Sequence, residues 1–187
     1  MKSGSGSAKG AEFERHVCKL LSKWVSRGEK SDIFWRTSMS GGRATVARSR
    51  GEHVRQAGDI TAVAPEGHAL TDKLYVELKF YKNLEIQNFF VRQIGMLARF
   101  WEKTVEEADS YKRTPVLIAK QDRVPTLLLT TCGEYCPELE AFVMRPALLF
   151  KAKVATVYFA GSICTVYRLD DVLSLAYRKP SRRVRVC

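Results

Sequence analysis

A chain of 187 residues, 45% of them hydrophobic, is long enough for one well-buried core and too short for two of ordinary size. No run approaches the roughly 18 consecutive apolar residues that a bilayer-spanning helix needs, and the first 30 residues hold no apolar leader core, so a soluble cytoplasmic protein that does not enter a membrane is expected. Five cysteines, odd in number and scattered, argue against a disulfide framework. Cys132 and Cys136 have the spacing of half a zinc site, but no second Cys/His pair stands near them, and buried free thiols are the better reading.

The net charge of +11 is unevenly spread: residues 1–58 carry +7, residues 59–177 carry −1 and residues 178–187 carry +5. Two basic segments around a neutral middle suit contact with a polyanion such as a phosphate backbone. For RKPSRRVRV a solvated tail without a partner is the plain alternative.

In chain order, residues 1–10 are Gly/Ser-rich and expected to be flexible, residues 11–177 to form a single domain, and residues 178–187 to be a basic tail. Apolar residues Phe13, Val17, Leu20, Leu21, Trp24 and Val25 predict an amphipathic helix over 11–26, stopped near Gly28. DIFWRTSM reads as a strand. Arg36, Ser38, Ser40, Gly41, Gly42 and Arg43 make a small-residue, basic turn, and the polar stretch 40–58, with Arg43, Arg48, Arg50 and Arg55, reads as a long functional loop. DITAV (59–63) predicts a second strand, PEGHALTD a turn, and KLYVELKFY a third strand, together a hairpin. One long helix is predicted from residue 84 to 111, then strands at TPVLIAK and TLLLTT, a short helix at CPELEAFV, strands at VATVYFA and ICTVYRL, and a last helix from DDVLSLAY. That order predicts an α/β fold with a central mixed β-sheet flanked by helices.

The chemistry concentrates in YVELKFYK (75–82). Val76, Leu78 and Phe80 fall on one face of the strand, and Tyr75, Glu77, Lys79 and Tyr81 on the other. By itself, Glu77 with Lys79 is indistinguishable from a surface ion pair worth well under about 1 kcal/mol. In a hairpin, Asp59 would come opposite this stretch, placing two carboxylates and an ammonium on one face. Two converging carboxylates suit Mg²⁺, which completes its shell with water and substrate oxygens; the Leu78 backbone carbonyl is a further candidate ligand. Lys79 would then orient water or stabilise charge growing on phosphorus.

The order KGAEFER (9–15), GD-I (58–60) and, 18 residues after Asp59, ELK (77–79) resembles the PD-(D/E)XK nuclease superfamily, in particular its archaeal Holliday-junction-resolvase and phage restriction-like branch. Gly58 stands where the family name has Pro. The resemblance covers residues 9 to about 125 and implies a restriction-endonuclease-like core. It assigns Asp59 and Glu77 to metal and Lys79 to the water nucleophile, adds Glu14 of the first helix as a further acid, and places Gln93 on the helix after the E-x-K strand, facing the site.

The reading that follows is an endonuclease that hydrolyses DNA phosphodiesters with Mg²⁺, Mn²⁺ substituting. It would act as a homodimer on double-stranded or branched DNA, gripped by Arg36, Arg43, Arg48, Arg50, Arg55, Arg182, Arg183 and Arg185. A restriction-type enzyme, a module that binds nucleic acid on the same fold without cutting, and a scaffold with a basic tail are the alternatives. Ser/His/Asp or Cys/His catalysis lacks a recognisable nucleophile signature.

Overall fold

A computed structural model describes residues 5–37, 57–131, 137–159 and 162–179. The basic stretch with Arg43, Arg48, Arg50 and Arg55, the cysteines 132 and 136, and the tail with Arg182, Arg183 and Arg185 lie outside them. The described chain runs α1 (Ser5–Val25), β1 (Phe34–Arg36), β2 (Ile60–Ala62), α2 (Pro65–Thr71), β3 (Leu74–Tyr81), α3 (Ile86–Arg92), α4 (Met96–Ser110), β4 (Thr114–Gln121) and β5 (Leu127–Thr131). It continues through α5 (Pro137–Glu140), a 3₁₀ turn (Pro146–Leu148), α6 (Leu149–Ala152), β6 (Lys153–Phe159), β7 (Ser162–Arg168) and α7 (Leu169–Ser174). No helix among the described residues is long and apolar enough to cross a membrane.

The five-stranded sheet has the order β3-β4-β5-β7-β6, with β3 parallel to β4 and the remaining pairs antiparallel. The expected mixed sheet is therefore present. Helices cover both faces, so its central strands are nearly continuous apolar runs rather than clean alternations. Val76, Leu78, Val116, Ile118, Leu128 and Tyr167 pack with Phe13, Val17, Leu21 and Trp24 of α1 and with Leu169 and Val172 of α7. Leu117, Ala119, Leu127, Leu129 and Val166 pack on the opposite face with Phe89 of α3 and Leu97 and Trp101 of α4. Neighbouring residues of β4 and β5 thus serve different cores.

Two sequence expectations are corrected. PEGHALT is the helix α2, opened by Pro65 in its first turn, where a missing N–H costs nothing. DITAV and KLYVELKFY therefore do not form a hairpin: β2 pairs antiparallel with β1 in a separate two-stranded sheet. The chain returns through α2 so that the residues just before β2 lie parallel to β3, through a single bridge of Gly58 to Val76. The second correction concerns residues 84–111, which form two helices. The chain breaks between them at Gln93 (φ 55°) and Gly95 (φ 101°), and the Glu85 carboxylate accepts the Met96 N–H at 2.8 Å, capping α4. An apolar rhythm running through Ile94 concealed this break; Ile94 is exposed.

Gly58 has φ +80°, and a Cβ added there would collide with the Val76 carbonyl. Gly58→Ala is expected to cost at least about 2 kcal/mol in denaturant unfolding, from the left-handed backbone and the clash together. Gly10→Ala, inside α1 with open space around the added carbon, is expected to be neutral or to stabilise by about 0.5–1 kcal/mol.

Candidate active site

β3 is an edge strand, and its free edge receives the segment 57–59. The Asp59 N–H donates to the Val76 carbonyl at 2.8 Å, and the Leu78 N–H donates to Asp59 Oδ2, also at 2.8 Å. From the other side, the Thr37 N–H donates to the Asp59 carbonyl at 2.8 Å. Asp59 is therefore held at its backbone by two elements and at its carboxylate by β3. Because one residue's N–H and C=O leave a strand on the same side, the Leu78 carbonyl also emerges on the edge where Asp59 sits.

Glu77 and Lys79 follow on the same strand, half-buried, with the Lys79 ammonium paired to Glu77 Oε1. Burial, then the charge of Asp59, push the Glu77 carboxyl up to about 7 despite that lysine. Burial disfavours the Lys79 ammonium, but Glu77 beside it more than offsets this, and its pKa lies above the ordinary value. The ammonium also sits 5.5 Å from the centre of the Phe100 ring. The trio expected from sequence thus comes together, although by a parallel bridge and not by the hairpin first expected.

Glu14 and Arg36 form a second pair beside it, Arg36 Nε donating to Glu14 Oε2 at 2.8 Å. Burial first, then Glu14, push the Cys18 thiol up to about 12, and the charges of Arg36 and Asp59 also reach it. Glu14, Arg36 and Asp59 thus share the neighbourhood of one α1 side chain. Gln93 stands at the end of α3. It caps α3 in the left-handed region, exposed, with its amide turned back to the Phe90 carbonyl at 3.4 Å, because the helix that was to carry it ends there. Lys120, near the end of β4, donates to the Val124 carbonyl at 2.8 Å and closes the β4–β5 turn.

Three neighbours escaped the sequence reading. The Tyr75 hydroxyl donates to Glu107 Oε2 at 2.5 Å and its ring stacks on Tyr111 with 5.7 Å between centroids. Burial and then Glu107 raise the Tyr75 phenol far above its usual range. Tyr81 packs on Phe100 at 5.2 Å. Phe100 and Glu107 are seven residues apart, two turns of one face of α4, which was legible as spacing but not as a face turned to β3.

The charge of Asp59 reaches the Glu77 carboxyl and helps raise it, so both carboxylates border one space. Their hard oxygens, with the Leu78 carbonyl, fit Mg²⁺ or Mn²⁺. No group of three or more His, Cys, Asp or Glu side chains stands together as a metal cluster among the described residues, so these residues supply only part of an octahedral shell.

A pH dependence follows. With its carboxyl raised to about 7, Glu77 keeps its proton to higher pH in the folded than in the unfolded chain. The Glu77 contribution to metal-free stability is therefore full below the ordinary carboxylate pKa and is lost as pH climbs from about 4.5 to about 7. Thermal unfolding in EDTA across pH 4.5–8 is expected to show this decline, and Glu77→Gln to flatten it. A slope unchanged by Glu77→Gln would assign it to other groups.

A search of curated proteins and a search of solved structures each return no match to the chain. A family model described as "Phage putative PDDEXK endonuclease" matches residues 5–174, a span that includes Glu14, Asp59, Glu77 and Lys79. The chain belongs to this phage PD-(D/E)XK endonuclease family.

Proposed function

We propose that the chain is a Mg²⁺-dependent DNA endonuclease of phage DNA processing, selective for branched duplexes in the manner of a junction resolvase, and active as a homodimer in the cytoplasm of its host. The observation that carries the proposal is the convergence of Asp59, Glu77 and Lys79 on the free edge of β3. The family match supports the nuclease part of the reading.

Asp59, Glu77 and the Leu78 carbonyl would hold the cation. When bound, it supplies charge to the phosphate oxygens and makes water more acidic. Lys79, fixed between Glu77 and the Phe100 ring, offers an ammonium to hold the attacking water and to stabilise charge growing on phosphorus. Glu14 keeps Arg36 beside the site, where its guanidinium suits a flanking phosphate. Arg43, Arg48, Arg50, Arg55, Arg182, Arg183 and Arg185 add charge that grips backbone without reading sequence. Two copies related by a twofold axis match the two equivalent phosphates of a four-way junction.

Supercoiled plasmid and a synthetic four-way junction incubated in Mg²⁺, Mn²⁺ or EDTA test the proposal. Cutting in either metal and none in EDTA is expected, with paired symmetric nicks at the junction. Glu77→Ala is expected to abolish cutting, and Lys79→Ala to slow it about 10²- to 10³-fold. Binding without cutting on every DNA would replace the enzyme by a binding module, and cutting at one sequence regardless of branching would replace the resolvase by a restriction-type enzyme.

A further inference from the structure

Beside the proposed catalytic centre, α1 and β1 enclose a cleft of about 340 Å³ that the chemistry above leaves unused. Its walls are Arg15, Cys18 and Lys19 of α1, Ser31 and Asp32 of the connection, and Phe34, Trp35 and Arg36 of β1. Arg36 links it to the centre through Glu14.

Trp35 is the unusual wall. The chain has three tryptophans; Trp24 and Trp101 are buried, while Trp35 is 62% exposed. The Trp24 indole N–H is bonded to the Leu175 carbonyl at 2.7 Å. Trp35 therefore presents a large apolar ring to solvent on a strand whose neighbours Phe34 and Ile60 fill the core. Arg15 and Lys19, on adjacent turns of α1, make no ion pair among the described residues. Asp32 shares the rim and Arg36 is matched by Glu14, so the cleft stays basic after both acids are counted.

An exposed aromatic ring that shares one cleft with two cations, neither in an ion pair among the described residues, suits a nucleotide with its base unstacked from a duplex. A paired base offers its edges to the grooves, while its faces are already covered by neighbouring bases. The volume falls within the usual range of small-ligand sites, about 300–1,000 Å³. We propose that this cleft receives one unpaired nucleotide of the DNA strand being cut, its base stacked on the Trp35 indole and its flanking phosphates on Arg15 and Lys19. The inference rests on the nuclease reading and deepens it: the substrate would be DNA that offers an unpaired nucleotide next to the scissile bond, as branch points and frayed ends do.

The test is binding by the full chain in EDTA, where cutting plays no part, followed by tryptophan fluorescence. A 12-nucleotide oligothymidylate is expected to quench the emission, and a blunt duplex of the same length to leave it nearly unchanged. Trp35→Leu is expected to remove the quenching and to weaken oligothymidylate binding roughly 5- to 150-fold, with Trp35→Phe recovering most of the affinity. The circular dichroism and unfolding midpoint of Trp35→Leu should match those of the parent, since the ring is exposed. Equal affinity of Trp35→Leu and parent for the oligonucleotide, or equal quenching by the blunt duplex, would overturn the proposal. Plasmid cutting without oligothymidylate quenching would sink the cleft and leave the nuclease reading standing. Quenching without cutting of any DNA would do the reverse.

Discussion

Gly58 lying flat against Val76 is the contact on which the candidate site depends. It lets Asp59 N–H reach the Val76 carbonyl and lets Asp59 Oδ2 take the Leu78 N–H, each at 2.8 Å. A side chain at residue 58 would hold the two backbones apart. The contact therefore sets the position of the Asp59 carboxylate against β3 to within a hydrogen bond, while Glu77 is held separately by Lys79. The left-handed φ of Gly58 also explains its identity at a position where the superfamily's name carries proline, whose ring fixes φ near −65°.

The sheet order gives that contact its chemical use. A strand inside the sheet has no free edge to receive a second carboxylate; β3 has one because, among the described residues, β4 is the only strand of the sheet that pairs along it. The face carrying Glu77 and Lys79 is walled by α4, whose Phe100 ring lies near the lysine and whose Glu107 takes the Tyr75 hydroxyl. Burial on this side, then the charge of Asp59, is what raises the Glu77 carboxyl. On the opposite side, α1 brings Glu14 to Arg36 and leaves the Trp35 cleft alongside.

Much of this was legible in the residues. The apolar rhythm of α1 and of the β4 and β5 runs predicts the elements found there, and the E-x-K alternation places Glu77 and Lys79 on one face. The pairing of Asp59 with that face was expected from a hairpin, and the fold reaches it by another route, because Pro65 can open a helix as readily as a turn. Gln93 was expected within a helix that is interrupted at Gln93 itself and at Gly95, and periodicity carries no information about a break when apolar residues continue across it. Tyr75 and Tyr81 had no assignment in sequence because their partners, Glu107 and Phe100, are distant along the chain. Nor does the strand pattern of DIFWRTSM show which way Trp35 faces; its exposure does.

The central claim is that Asp59 and Glu77 hold one divalent cation between them. Titration of Mn²⁺ followed by its electron paramagnetic resonance signal, on the full chain at pH 8 without DNA, measures this most directly. Asp59→Asn keeps an oxygen for the Leu78 N–H while removing the charge, so its fold should survive. Binding of Mn²⁺ to the parent, weakened at least about 10-fold in Asp59→Asn and again in Glu77→Gln, is the expected result. Equal Mn²⁺ affinity in the parent and both variants would contradict it.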